Sequence, residues 1–194
     1  MAQRRFSQAI SEGDGISVIA AVEDADAARA AAAHWAEALV VRGDPRSIRE
    51  ATELPILWRA DVTVEQASEV ADAYLLVFES LDDDDGRLEE LHRHALDVGL
   101  DCVVDVRNED ELEEALERVD PEIFLLSARD PDTDEGPLES VLSLLPSVPA
   151  GKLAIADLPQ ITKEELSELE RAGVDAVIVH GDVGQLAGGP PPEV

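Results

Sequence analysis

Apolar positions along the chain gather into eight short runs, each closed by polar residues. They are GISVIAAV (15–22), EALVVRG (37–43), PILWRADV (55–62), AYLLVFES (73–80), DCVVDV (101–106), IFLLSARD (123–130), KLAIAD (152–157) and DAVIVHG (175–181). Runs this short, with segments of helical character between them, predict strand alternating with helix eight times. That order is the signature of an α/β fold, a compact (β/α)₈ TIM barrel. Such a barrel has one working face, at the C-terminal ends of its strands.

The intervening segments carry recognisable helix signals. DADAARAAAAHWAEA is alanine-rich and offers Asp24 or Asp26 as a cap, and Asp44-Pro45 reads as a cap followed by the first helical residue. Thr63, Asn108 and Thr162 stand where caps are needed, Glu111 completes a near capping box, and Gly99 and Gly173 stop helices. Residues 1–14 read as a cap helix, with Arg4 and Arg5 at its start and Gly13-Asp14-Gly15 at its end. The barrel occupies 15–186. The last helix is truncated to one turn at most, and the Pro-rich segment 187–194 reads as a disordered tail.

At 194 residues the chain is short for this fold, which typically takes about 250. Little length is left for loops. Aromatic residues make up only 3%, so the core volume must come from Ala, Val, Leu and Ile. Charge changes the picture more. There are 44 acidic and 15 basic side chains, a net charge of −29, and only Lys152 and Lys163 among the basic residues are lysines. Such self-repulsion is screened when the Debye length falls to about 3 Å at 1 M salt. Acid excess with scarce lysine resembles the cytoplasmic proteins of salt-accumulating halophiles. An acidic surface for a basic partner is the alternative. Nucleic acid is not an expected partner, since phosphate contacts need a basic footprint. No apolar stretch reaches the length of a membrane helix, and no signal peptide is read. The expectation is a soluble, cytoplasmic protein with no membrane association.

The rim of the barrel should carry Glu23, Arg59, Asp61, Glu79, Asp105, Arg129, Asp157, His180 and Asp182. Asp105, Asp157, His180 and Asp182 offer carboxylate and imidazole ligands to a metal. Alternatively, Arg59 and Arg129 pair with Asp105 and Asp157 and plug the mouth. The residue types favour the plug, because arginines facing several acids need no metal and no metal-ligand spacing is present. Asp82 to Asp85 read as a helix start rather than a cation site, lacking the EF-hand spacing. Cys102 reads as a small buried residue, not a nucleophile. His34, His92 and His94 fall on helices as surface or interface residues, and Trp35 and Trp58 mark packing positions. Trp58 should point toward the helix layer, opposite to Arg59. No nucleophile elbow, P-loop, dinucleotide fingerprint or HExxH motif occurs, so no cofactor is called for.

Several stretches resemble the indole-3-glycerol phosphate synthase family of tryptophan biosynthesis. FSQAISEGDGISVIAAV is similar to its N-terminal helix and first strand, ELPILWRADV to its third strand and ADAYLLVFESLDD to its fourth. LEELHRHALDVGLDCVVDVRNEDELEEALE and ITKEELSELERAGVDAVIVHGDV continue the likeness in the same order. The resemblance implies a lyase that forms indole-glycerol phosphate from carboxyphenylamino-deoxyribulose phosphate. It also implies site residues, and most of these differ here. The Glu and Lys of the family's Ala-Glu-x-Lys pattern fall at Ala21 and Glu23, and its Ser-Pro-Ser loop has no counterpart. Its third-strand lysine, the general acid, falls at Arg59, and its fifth-strand Glu at Asp105. Its sixth-strand Asn falls at Ser127. Its seventh-strand Glu-Ser-Gly becomes Asp157-Leu158-Pro159, and its eighth-strand Gly-Glu-Ser becomes His180-Gly181-Asp182.

Arginine stays protonated and is a poor acid. Pro159 has no N–H for phosphate, and Asp182 repels it. The expectation is a diverged relative, a pseudoenzyme that binds an unknown small molecule or a protein partner through Glu23, Glu79, Ser127, Arg129, His180 and Asp182. The alternatives are a working synthase or related carbon–carbon lyase using Arg59, Asp105 and Asp157, or a metal-dependent lyase or aldolase. A short eighth helix would also leave strand eight and the helix over 162–173 under-covered, which predicts a patch buried by a partner or in a homodimer. Light scattering in high salt, at high protein concentration, should then find a dimer; a clean monomer counts against it.

Overall fold

A computed structural model describes residues 5–13, 15–59, 63–80, 86–127, 136–181 and 183–185, with the backbone alone at Glu79 and Gln185. Eight parallel strands close into a barrel in sequence order. They are β1 (Ser17–Val22), β2 (Ala38–Val41), β3 (Ile56–Trp58), β4 (Ala73–Val77), β5 (Asp101–Val106), β6 (Ile123–Ser127), β7 (Leu153–Asp157) and β8 (Ala176–His180). Each lies inside the run that predicts it. The helices described are α1 (Phe6–Ser11), α2 (Ala25–Ala33), α3 (Arg46–Ala51), α4 (Val64–Ser68), α5 (Arg87–Asp97), α6 (Glu109–Arg118), α7 (Pro137–Leu144) and α8 (Lys163–Ala172). After β8 the chain makes a 3₁₀ turn, Val183–Gln185. The Asp82–Asp85 run and the tail from 187 lie outside the described residues. Among the described residues, no helix is long and apolar enough to cross a membrane.

The capping residues act as the sequence predicts, with two local differences. Asp24 accepts the Ala27 N–H at 2.8 Å, and Thr63 and Thr162 form reciprocal boxes with Gln66 and Glu165. Asp44 accepts the Arg46 N–H at 3.1 Å, so the helix starts one residue past Pro45. Asn108 caps α6, but Glu111 reaches the Arg107 N–H (2.8 Å) and guanidinium (Nε, 2.9 Å) rather than closing the box. An arginine beside it offers a charged donor, which a carboxylate takes in preference to a neutral amide. Trp35 departs from its expectation. It is 72% exposed with φ +71°, in the turn after α2, instead of packing. The small alanines of α2 fill that layer without it.

Alternation along each strand divides the core in two. Outward residues such as Ala20, Leu39, Leu76, Val104, Leu126 and Val177 meet the helices. Inward residues fill the barrel as alternating layers, four side chains at a time from alternate strands. Ile19, Leu57, Val103 and Ile155 come from the odd strands, and Val40, Leu75, Leu125 and Ile178 from the even ones. Below them α1 plugs the N-terminal end, with Phe6 and Ile10 buried in the inner core. The buried Asp101, at the foot of β5, accepts the Ser7 N–H at 2.8 Å and lies 3.6 Å from Arg5 Nε. Replacing Phe6 with Ala should cost about 3–5 kcal/mol in denaturant unfolding, as for other buried aromatics. A loss under about 1 kcal/mol would mean α1 is dispensable to the barrel.

Candidate functional site at the C-terminal mouth

One step above the apolar layers, the odd strands contribute Ala21, Arg59, Asp105 and Asp157. Ala21 and Asp157 are reached by the two-residue period from Ile19 and Ile155, Arg59 from Leu57, and Asp105 from Val103. Arg59 is largely buried and reaches across the barrel to two carboxylates. Its Nη1 lies 2.5 Å from Asp157 Oδ2, and its Nη2 lies 3.6 Å from Asp105 Oδ2. Ser127 Oγ donates to the other oxygen of Asp105. His180 Nε2 lies 2.7 Å from Asp157 Oδ1. Five residues predicted for the site, from β5 to β8 and the end of β3, are thus joined in one chain of polar contacts.

Burial pushes the Asp157 carboxyl up, but the hydrogen bonds and charges of His180 and Arg59 outweigh it and hold it below its ordinary 3.8. Asp157 is therefore ionised at neutral pH and accepts from His180. That fixes the proton of the ring on Nε2 and leaves Nδ1 directed away from Asp157. Arginine suits this position because its planar fork serves two acceptors at once, which an ammonium does less well.

Beside the network, between β1, β2 and β8, lies a cavity of about 470 Å³. Ala21, Glu23, Val40, Arg42 and His180 line it. Glu23 is exposed at its edge. Arg42 is the site residue that sequence reasoning missed. The same two-residue step that places Arg59 above Leu57 places Arg42 above Val40, and that signal was available. Arg129, Asp61 and Asp182 lie outside the described residues, as does the side chain of Glu79. Among the described residues, no three His, Cys, Asp or Glu side chains gather into a group able to hold a metal ion. Cys102 faces the helix layer, its thiol pushed up to about 12 by burial and then by the negative charge of Asp101, so it is no nucleophile. His34 is exposed, while His92 and His94 are half-buried on α5, and His94 lines a second cavity of about 850 Å³ together with Arg59. Trp58 packs into the helix layer and donates its indole N–H to Gly43 O at 2.8 Å.

Two outcomes follow for stability. Arg59→Met should cost about 3–5 kcal/mol, because it strands two buried carboxylates; a change under about 1 kcal/mol in urea unfolding would show the contacts to be incidental. The second concerns acid. Asp157 titrates lower in the folded chain than in the unfolded one, so its contribution is complete above its ordinary 3.8 and disappears as pH falls through the folded value. The stability gap between the wild type and Asp157→Asn should therefore stay constant above about pH 5 and shrink in more acid solution; a gap independent of pH would contradict this.

Comparison with known proteins agrees with this architecture. The sequence profile of the indole-3-glycerol phosphate synthase family matches residues 44–184. The indole-3-glycerol phosphate synthase of Geobacillus sp. (strain WCH70) is 35% identical over 144 residues, covering 71% of this chain and 55% of that protein. The enzyme of the same name from Geobacillus kaustophilus (strain HTA426) is 31% identical over 140 residues, covering 69% and 53%. The chain spans about half the length of these curated relatives. Among solved structures, the N-acetylmannosamine-6-phosphate 2-epimerase from Clostridium perfringens superposes with a TM-score of 0.76 at 16% identity, over 95% of this chain and 93% of that one. Thiamine phosphate pyrophosphorylase from Pyrococcus furiosus does so at 0.66 and 18%, over 88% and 93%. At such identities these two share the fold and nothing more is drawn from them. The profile match covers most of the chain, strands three to eight included, and the chain belongs to the indole-3-glycerol phosphate synthase family.

Proposed function

We propose that this family member holds a small ligand at the mouth of its barrel and does not run the synthase ring closure. The observation that carries this is the state of Arg59. It stands where the resemblance places the general acid, and it is fixed between Asp157 at 2.5 Å and Asp105 at 3.6 Å. A guanidinium gives up no proton in the accessible pH range. Its charge is also already committed to two carboxylates, so little remains to stabilise a charge that develops during reaction. Ala21 and Glu23, in place of the family's Glu and Lys, and Pro159, without an N–H for phosphate, support the same reading.

A second reading has its own support. The mouth keeps open volume, about 470 Å³, beside a histidine oriented by a carboxylate. A synthase or related carbon–carbon lyase would use Arg59, Asp105 and Asp157 there. Against it, both aspartates are engaged with Arg59 rather than available to a substrate. A metal-dependent lyase would need Asp182 to join Asp157 and His180, and no observation favours it.

The discriminating assay follows indole-glycerol phosphate formation from carboxyphenylamino-deoxyribulose phosphate by fluorescence. It is run in about 1 M KCl, where the charge of −29 is screened, on protein shown folded by circular dichroism. The expected result is no turnover. Turnover that Asp157→Asn abolishes would overturn the proposal and show that Arg59 and the aspartates form a working site.

A further inference from the structure

We infer that the cavity between β1, β2 and β8 is a binding site for a small monocarboxylate, with Arg42 as its anion anchor and His180 as its second polar contact. This rests on the ligand-binding reading above and gives it a chemical class. The cavity exists because of one residue. Three of the four odd-strand positions in the closing layer carry charged side chains engaged across the barrel, and the fourth is Ala21. Its methyl group leaves the space that a longer side chain would fill, and the cavity of about 470 Å³ opens directly over it. That volume falls in the range of small-molecule sites.

The polar groups around it converge by strand register. Glu23, Arg42 and His180 each lie two residues beyond an inward residue, namely Ala21, Val40 and Ile178. Arg42 forms no ion pair and no side-chain hydrogen bond among the described residues. By contrast, Arg49, Arg107 and Arg118 are each bound to an acid. A guanidinium at a cavity wall with no acid partner among the described residues, in a protein with 44 acidic side chains, is a fork suited to a carboxylate. His180 is held by Asp157 through Nε2, so its ring is oriented and Nδ1 is left for a ligand hydroxyl. Glu23 at the edge selects by repulsion. One carboxylate opposite Arg42 is balanced, whereas a phosphate dianion would carry a second negative charge toward Glu23 and Asp157. Ala21 and Val40 give the apolar floor. The chemistry recognised is therefore a small acid with one carboxylate and a nearby hydroxyl.

Trp58 provides the readout, because its indole N–H is bonded to the carbonyl of Gly43, which lines the cavity. Glycolate, acetate and inorganic phosphate are titrated against the full chain carrying Trp35→Phe, in about 1 M KCl, by fluorescence and by melting temperature. Glycolate should bind saturably, more tightly than acetate, and more tightly than phosphate. Arg42→Gln, exposed and therefore safe for folding, should weaken glycolate about tenfold or more. Ala21→Leu should abolish binding by filling the cavity. Absence of saturable glycolate binding by both readouts, binding unchanged in Arg42→Gln, or phosphate bound more tightly than glycolate would each overturn the site. The synthase assay separates the two claims. Turnover accompanied by Arg42-dependent glycolate binding overturns the proposed function and leaves the site standing, whereas no turnover with a flat titration overturns the site alone.

Discussion

One guanidinium facing two carboxylates across the barrel axis sets the character of this molecule. The layers directly below it are apolar, so the charges of Arg59, Asp105 and Asp157 sit on a low-dielectric floor. A charge there is tolerated only when it is paired and hydrogen-bonded. The pairing is distributed: Ser127 donates to Asp105, His180 to Asp157, and Arg59 bridges both acids. Removing the bridge would leave two carboxylates to repel each other above an oily core. The network therefore ties β3, β5, β6, β7 and β8 at the end of the barrel opposite α1.

The same interaction divides the mouth into two unequal halves. On the side of β3, β5 and β7, charge is neutralised in place, and a second cavity of about 850 Å³ lies beside Arg59 and the end of β4. On the side of β1, β2 and β8, an alanine leaves room, and Glu23, Arg42 and His180 look onto it. His180 belongs to both halves, since the carboxylate that pairs with Arg59 also orients the imidazole. A barrel arranged this way is suited to holding a ligand and poorly suited to proton transfer through Arg59. The N-terminal end has a different use for carboxylates. Asp72 accepts the Ile56 N–H at 2.9 Å together with Arg49, and Asp175 accepts the Ala154 N–H at 2.8 Å. These side chains tie strand starts together, so acids of the same type stabilise one end and shape a site at the other.

Much of this was legible in the chain. The eight apolar runs contain the eight strands because strands buried on both faces need continuous apolar sequence. The caps Asp24, Thr63, Asn108 and Thr162 were readable because capping is a local hydrogen bond between near neighbours. The pairing of Arg59 with the aspartates was readable in kind, since these residues fall at strand ends and a two-residue period carries them inward. What could not be read was which acid meets which base. Strand stagger and the reach of a guanidinium decide that, and both are properties of the closed barrel. Asp101 beneath α1 escaped notice for the same reason: its partners, the Ser7 N–H and Arg5, lie far away in sequence. Trp35 misled because large aromatic side chains are usually buried, whereas here small alanines complete the layer and the indole stays outside. Arg42 is marked by the alternation alone, since the family pattern says nothing at that position.

The account stands or falls on the coupling between Arg59 and Asp157. A double-mutant cycle with Arg59→Met, Asp157→Leu and the pair combined, unfolded in urea at neutral pH and about 1 M KCl, measures it directly. A buried, bridging ion pair predicts a coupling of about 2–3 kcal/mol, with the double variant more stable than either single one. A coupling below about 0.5 kcal/mol, with additive losses, would contradict the account and leave the charges at the mouth as independent surface groups.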